Sequence, residues 1–485
     1  MRRDQMLNIE LRGVLKSAVA KLWIVVVALA ATLAPTWVHA QDACSSHAVF
    51  NSIYDFGDAT GDPLNPGFAG AISQGRDGNL WSTAPAGGTM GAGAAFRLTP
   101  KGKLTAFDFS STDGQPHSGL TLGTDGNFYG TTSDGGKYNE GTVFRLTPKG
   151  SLTILYSFTG GNDGKAPYAP PIEGTNGDFY GTTNQGGANN LGTIYQITPA
   201  GKLTTMYQFV SGEGANPVGA LLLGTDGDLY GTTVSGGASN WGAVFKIVPS
   251  GNFVFTLLFS FNFSDGGNPY GGLVQGSDGN FYGTANRGGA SDRGVVFTVT
   301  PKGSFTELYA FSGGSDGAYP SAGLVQATDG NLYGVAYGGG TGYGTIFRIT
   351  VKGKFTVCED FNSTKGSGGQ VALIEHTNGT LYGDTTQGGD IHNTGVFFYL
   401  KLGFKPFVTL LPTSGKVGST VEILGQGFVT GKTAVSFNGA KATTVTVVSP
   451  TYMTAVVPTG ATTGFVTVTT PKGTLQSNKK FRVHK

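Results

Sequence analysis

Charge is scarce in this sequence: only 13% of its 485 residues are Asp, Glu, Lys or Arg. Cysteine is scarcer still, with Cys44 and Cys358 alone. The residue spacings that mark common chemistries are missing too. There is no H-E-x-x-H zinc pattern and no D-x-D-x-D-G calcium loop, and no histidine sits in a nucleophile elbow. Outside the first 40 residues the histidines are His47, His117, His376, His392 and His484. They are scattered and read as surface or loop residues. Gly-rich stretches fall between strand-like runs, with no helix to receive a phosphate, which excludes Rossmann and P-loop readings. Nothing calls for a metal or another cofactor.

Glycine, by contrast, is abundant at 82 residues. It follows no three-residue period, so collagen is excluded. So much glycine implies many turns and hence many short strands. Hydrophobic residues make up 39%, enough for a core, which excludes a disordered chain.

At the N-terminus Arg2, Arg3, Arg12, Lys16 and Lys21 precede an apolar run over residues 22–34. Val38 and Ala40 then occupy small-residue positions, so residues 1–40 read as a secretory signal cut after Ala40. An uncleaved anchor is the alternative. The run is short for a membrane span, and no later segment is apolar enough to make one. Residues 41–402 carry a net charge of −9 and residues 403–485 a net +8, with Glu422 the single acid of the latter. The basic pI of the whole chain therefore owes much to the signal and gives no reason to expect nucleic acid. An acidic body joined to a basic tail reflects solubility and chance, docking between the two parts, or different partners for each.

The stretch DGNFYGTT, residues 125–132, returns in near-copies. Its aromatic recurs at Trp81, Tyr129, Tyr180, Tyr230, Tyr282, Tyr333 and Tyr382, in steps of 48 to 52 residues. One period reads as four short strands in up-and-down order, separated by Asp-Gly, Gly-Gly and Lys-Gly turns. That is one propeller blade, which cannot bury its faces alone. The third strand occurs seven times but is followed by a fourth only six times, and a spare fourth strand precedes the first repeat at residues 49–56. The expectation is an all-β chain with a seven-bladed β-propeller over residues 41–402. The N-terminal strand closes it by pairing with residues 396–402, removing an open edge.

The text GTVFRLTPKGSLTILYSFTGGNDG, with DGNFYGTT, resembles the glycine-rich tandem repeat of GloVer-type exported bacterial proteins over about residues 48–402. The resemblance implies export and a variable C-terminal region, and brings no established activity. Residues 403–485 alternate Val and Thr between Gly, Asn and Pro turns, an Ig-like β-sandwich pattern. This segment resembles an IPT/TIG domain at Pro412, Ser414, Gly415, Gly425, Phe428, Asn438 and Gly439, among others. Such domains serve as spacers or interaction modules.

The copies disagree most just before the glycine that opens the third strand, at Ala92, Glu140, Leu191, Trp241, Arg293, Tyr343 and Thr394. Variable side chains on a repeated scaffold suit binding. Tyr138, Trp241, Arg293 and Tyr343 are the candidate ligand-binding residues, with aromatic faces suited to sugar rings. Drift at unconstrained loop tips is the competing reading. An extracellular glycan or surface protein is the expected partner, and the acidic body favours neutral or cationic saccharides. A propeller-type polysaccharide lyase or glycosidase is the alternative, but no catalytic residue is assigned. Asp113, Asp163, Glu213, Asp265 and Asp316 recur beside turn glycines, where an acid closes its own loop; a calcium ring is the other reading. Cys44 and Cys358 form either a disulfide tying down the closing strand or, for Cys358, a buried free thiol.

Overall fold

The computed structural model of the chain describes Cys44 and residues 48–67, 71–389 and 392–484. The expected signal, its cleavage site after Ala40 and His47 lie outside the described residues. Among the described residues no helix is long and apolar enough to cross a membrane.

The repeated octapeptide builds its own turn and then fills two interfaces. Gly126 takes a positive φ of 84°, and Gly123 N–H bonds the Asn127 carbonyl at 2.8 Å. Asp125 accepts from the Asn127 backbone and side chain at 2.9 and 2.7 Å, and from the Tyr129 hydroxyl at 2.9 Å. Tyr230, Tyr282 and Tyr333 reach the matching aspartates at 2.7, 2.7 and 2.8 Å. The aromatic of each copy and the Phe or Leu before it point to opposite faces, as adjacent strand residues must. Phe128 stacks on Trp81 of the repeat before, and Tyr129 on Phe179 of the repeat after, with centroids 4.3 and 3.8 Å apart.

Each repeat forms a four-stranded antiparallel sheet. The second sheet, for example, comprises Thr121–Leu122, Phe128–Thr132, Thr142–Leu146 and Leu152–Ser157. The seventh contains Ile374–His376, Thr380–Asp384 and Val396–Lys401, and its fourth strand is Val49–Asp55 from the other end of the chain. The two pair antiparallel from Val49 opposite Lys401 to Asp55 opposite Val396. Successive sheets share apolar cores, and one core joins Phe397 and Tyr382 of the seventh sheet to Leu80, Phe96 and Leu98 of the first. The innermost turns are laced in the same way. Thr328 donates its N–H and hydroxyl to Glu375, and Gln74 of the first sheet exchanges two 2.9 Å bonds with Thr377 of the seventh. The result is a closed, propeller-like ring.

The closing strand is held twice more. Cys44 is disulfide-bonded to Cys358 of the sixth sheet across a sequence separation of 314 residues. Phe50 stacks on Phe398 at 5.2 Å.

Residues beyond 403 form two further four-stranded antiparallel sheets and a short parallel pair, Ser414–Lys416 with Arg482–His484. They share a core that includes Val421, Ile423, Phe437, Met453, Val468 and Phe481. This unit rests on the Asp-Gly turns of the ring. Arg76 donates Nε to Glu422 at 3.0 Å and lies over the Tyr452 ring at 4.7 Å. Thr451 donates to the Arg76 carbonyl at 2.8 Å, and Gln426 to Thr377 at 3.1 Å. The contact uses a cation of the acidic body and the single acid of the basic segment, opposite to the net charges of the two parts.

Candidate functional site

In an up-and-down sheet the connections alternate between ends. The Asp-Gly and Lys-Gly turns therefore share one face of the ring, and the loops between second and third strands share the other with the connections between repeats. The C-terminal sheets occupy the first face. The second carries the positions that vary.

These loops are locked. In the second repeat Gly135 and Gly136 both take φ of 73°, a conformation that a side chain would strain. Gly135 N–H is bonded by the Asn139 side chain at 3.1 Å, and Asn139 itself has φ of 57°. The same side-chain bond recurs at Asn190, Asn240, Asp292 and Asn393, between 2.7 and 3.0 Å. In these five repeats the variable residue follows directly, and six of the seven variable residues are pinned by their carbonyls to the next repeat. Glu140, Leu191, Trp241, Arg293 and Thr394 accept from Ala166, Asn216, Asn268, Tyr319 and Asn65 at 2.8 to 2.9 Å, and Tyr343 from Gly368 at 3.3 Å.

What the pinned side chains do differs. Tyr343 is 40% exposed and Tyr138 48%, the latter with Lys137 Nζ 5.0 Å from its ring centre. Trp241 is half-buried: it packs against Phe263 at 4.5 Å and joins the core between the fourth and fifth sheets. Leu191 packs likewise, and Thr394 donates to the Phe56 carbonyl. Arg293 lies 5.1 Å from the Tyr319 ring centre, with Arg287 at 4.9 Å. The structure thus brings Arg293 into a group with two residues that the sequence reading passed over, and uses Trp241 largely as packing.

The recurring acids close their own loops. Asp113, Asp163, Asp265 and Asp316 accept backbone N–H bonds from Ser110, Thr159, Asn262 and Ser312 at 2.7 to 2.9 Å. Tyr156, Tyr207 and Tyr309 donate to Asp163, Glu213 and Asp316. Among the described residues no three His, Cys, Asp or Glu side chains gather as a metal centre requires.

His376 is not a surface residue. It is buried, with Nε2 3.0 Å from the Gly78 carbonyl of the first repeat. The seventh repeat also buries Glu375 and Asp384. Burial pushes the Glu375 carboxyl up to about 7 against the opposing Thr328 bonds, and pushes Asp384 up to about 8. The text carries the sign of this departure, YGDT where three copies read YGTT. Glu375 bonds the sixth repeat, His376 the first, and Asp384 has no hydrogen-bond partner among the described residues. The three do not form an acid–base pair.

The family described as the Gloeobacter/Verrucomicrobia repeat matches residues 66–254 and 221–446. No curated protein matches the chain. Similar solved structures include a protein from Lactobacillus plantarum (15% identity, 73% of this chain and 93% of that one, TM-score 0.45). A gluconolactonase from Xanthomonas campestris is similar at 11% identity over 71% and 99%, TM-score 0.39. An auxiliary nutrient binding protein from Bacteroides ovatus is similar at 13% identity over 73% and 76%, TM-score 0.40. Likeness at this level says nothing of activity, and the account of the fold rests on strand pairing alone.

Proposed function

The chain belongs to the Gloeobacter/Verrucomicrobia repeat family, and from that premise we propose that it is an exported, non-catalytic binding protein. In this reading the ring is a seven-bladed β-propeller over residues 41–402. Residues 403–485 are an IPT/TIG-type Ig-like sandwich serving as spacer or docking module. The variable loop face takes an extracellular ligand, a glycan before a surface protein. One observation carries the proposal: in five repeats the residue that differs follows an Asn or Asp whose side chain closes the same loop. A rigid display loses little entropy on binding. The C-terminal unit sits on the opposite face and leaves the display clear. Export is supported by the expected signal and by the Cys44–Cys358 disulfide, a bond suited to oxidising compartments.

The test is a glycan array probed with the mature chain, with a turnover assay on every hit. Binding without product release is the expected result. Release of shortened or unsaturated saccharide would replace this reading with a lyase or glycosidase.

A further inference from the structure

On the loop face, the fifth and sixth repeats depart from their siblings at five positions, and the departures lie along neighbouring seams. Arg287 stands where other repeats have Asp134, Gln185, Ser235, Gly338 or Gln387. Tyr337 replaces residues such as Ser133, Asn184 and Asn286. Tyr319 takes a position held elsewhere by Asn65, Ala166, Asn216, Asn268 and Gly368. The remaining two are the display residues Arg293 and Tyr343.

The position of Tyr319 is left-handed in every one of these repeats, and Tyr319 itself has φ of 57°. Asn and Gly adopt that conformation readily, whereas a bulky aromatic is an outlier there. Both guanidinium groups lie over its ring, 4.9 and 5.1 Å from its centre. Its carbonyl accepts from Tyr337 N–H at 3.4 Å. One seam further on the same position is Gly368. A Cβ there would lie 3.0 Å from the Tyr337 ring and 2.7 Å from the Thr386 hydroxyl, so glycine spares both contacts. Gly368 in turn is bonded to Tyr343. Tyr337 and Tyr343 are 37% and 40% exposed.

The charges are unequally spent. Asp292 faces Arg287 at 3.6 Å and also bonds Gly288, while Asp316 is held by Ser312 and Tyr309. Arg293 pairs with no carboxylate among the described residues. A planar guanidinium fixed on an aromatic ring matches a carboxylate with two parallel bonds. Partly exposed tyrosines on the next repeat, Tyr337 and Tyr343, match pyranose rings.

We propose that this seam binds a uronic acid within an otherwise neutral saccharide, with Arg293, aided by Arg287, on the sugar carboxylate and Tyr337 and Tyr343 against the flanking rings. The inference rests on the binding function proposed above and deepens it. The net −9 of the body opposes a long polyanion, so an isolated acidic residue is the better fit.

The experiment titrates the mature chain with matched cello-, xylo- and galacto-oligosaccharides, each with and without one uronate residue. For at least one backbone the uronate member is expected to bind about ten-fold more tightly, as a charge-assisted bond implies. Arg293→Gln should abolish that preference and added salt should weaken it, while Lys149→Gln on the opposite face leaves it intact. Tyr343→Ala should weaken both members of the pair. Because Tyr343 is exposed, this variant tests the site even if Arg293→Gln fails to fold. Neutral members binding as well as acidic ones would overturn the uronate assignment and leave the binding function standing. Uronate preference undisturbed by Arg293→Gln, together with affinity undisturbed by Tyr343→Ala, would overturn the location. No binding by any saccharide would remove the glycan reading itself.

Discussion

Asp384 stands where five repeats carry threonine, at Thr83, Thr131, Thr182, Thr232 and Thr284. Thr131, Thr232 and Thr284 donate to carbonyls of the following repeat, such as Gly271 and Ala322 at 3.1 and 2.8 Å. A carboxylic acid can donate like a threonine only while protonated. Burial raises Asp384 from the usual carboxylate range to about 8, and Glu375 to about 7. For an acid whose pKa is higher folded than unfolded, the native state holds the extra proton. Its stabilising contribution is complete below about pH 4 and is lost as pH rises to about 8. The melting temperature should therefore fall between about pH 5 and pH 9, and Asp384→Thr should flatten the fall and add on the order of 2 kcal/mol at pH 8. A pH profile identical in the two proteins would contradict this. The display residues separate at the same scale. Trp241→Ala removes a packed ring and should cost about 2 kcal/mol, whereas Tyr343→Ala should leave the thermal midpoint within about a degree. Aligned copies reveal which residue varies but not whether it packs, so Trp241 and Tyr343 looked alike in the text. Tyr319 and Arg287 escaped notice because their positions are variable but unremarkable until their rings and charges meet across the seam.

At the scale of elements, the strand pattern was readable because every repeat states it again. Asp, Gly, Asn and Tyr each have one task in the turn, so the spacing of the aromatic marks the sheets, and counting outer strands showed which one was missing. The pairing of Val49–Asp55 with Val396–Lys401 is that missing strand. Deleting residues 44–56 removes both the strand and the Cys44 bridge, leaving Phe398 and the edge of the seventh sheet uncovered. The truncated chain should melt well below the full one and self-associate, which thermal scans and light scattering would show. Less readable was the seat of the C-terminal sheets. Net charge pointed to a broad attraction, but the contact is local, between Arg76 and Glu422. Arg76→Ala would leave Glu422 largely buried without its cation. It should cost about 2 to 4 kcal/mol, and limited proteolysis should then free the segment beyond residue 403.

For the whole molecule the two faces of the ring have different work. The turn face is covered in part by the C-terminal sheets and laced around its centre, from Thr328 with Glu375 to Thr377 with Gln74. The loop face carries the differences between repeats on loops that five repeats hold with the same side-chain bond, so binding is assigned to it. Hydrogen exchange of the mature chain, with and without the tightest-binding oligosaccharide, tests that assignment most directly. The account predicts slowed exchange in the loops between second and third strands, strongest over residues 286–294 and 337–344, with the Asp-Gly turns unchanged. Protection confined to the Asp-Gly turns or to residues 403–484 would contradict it.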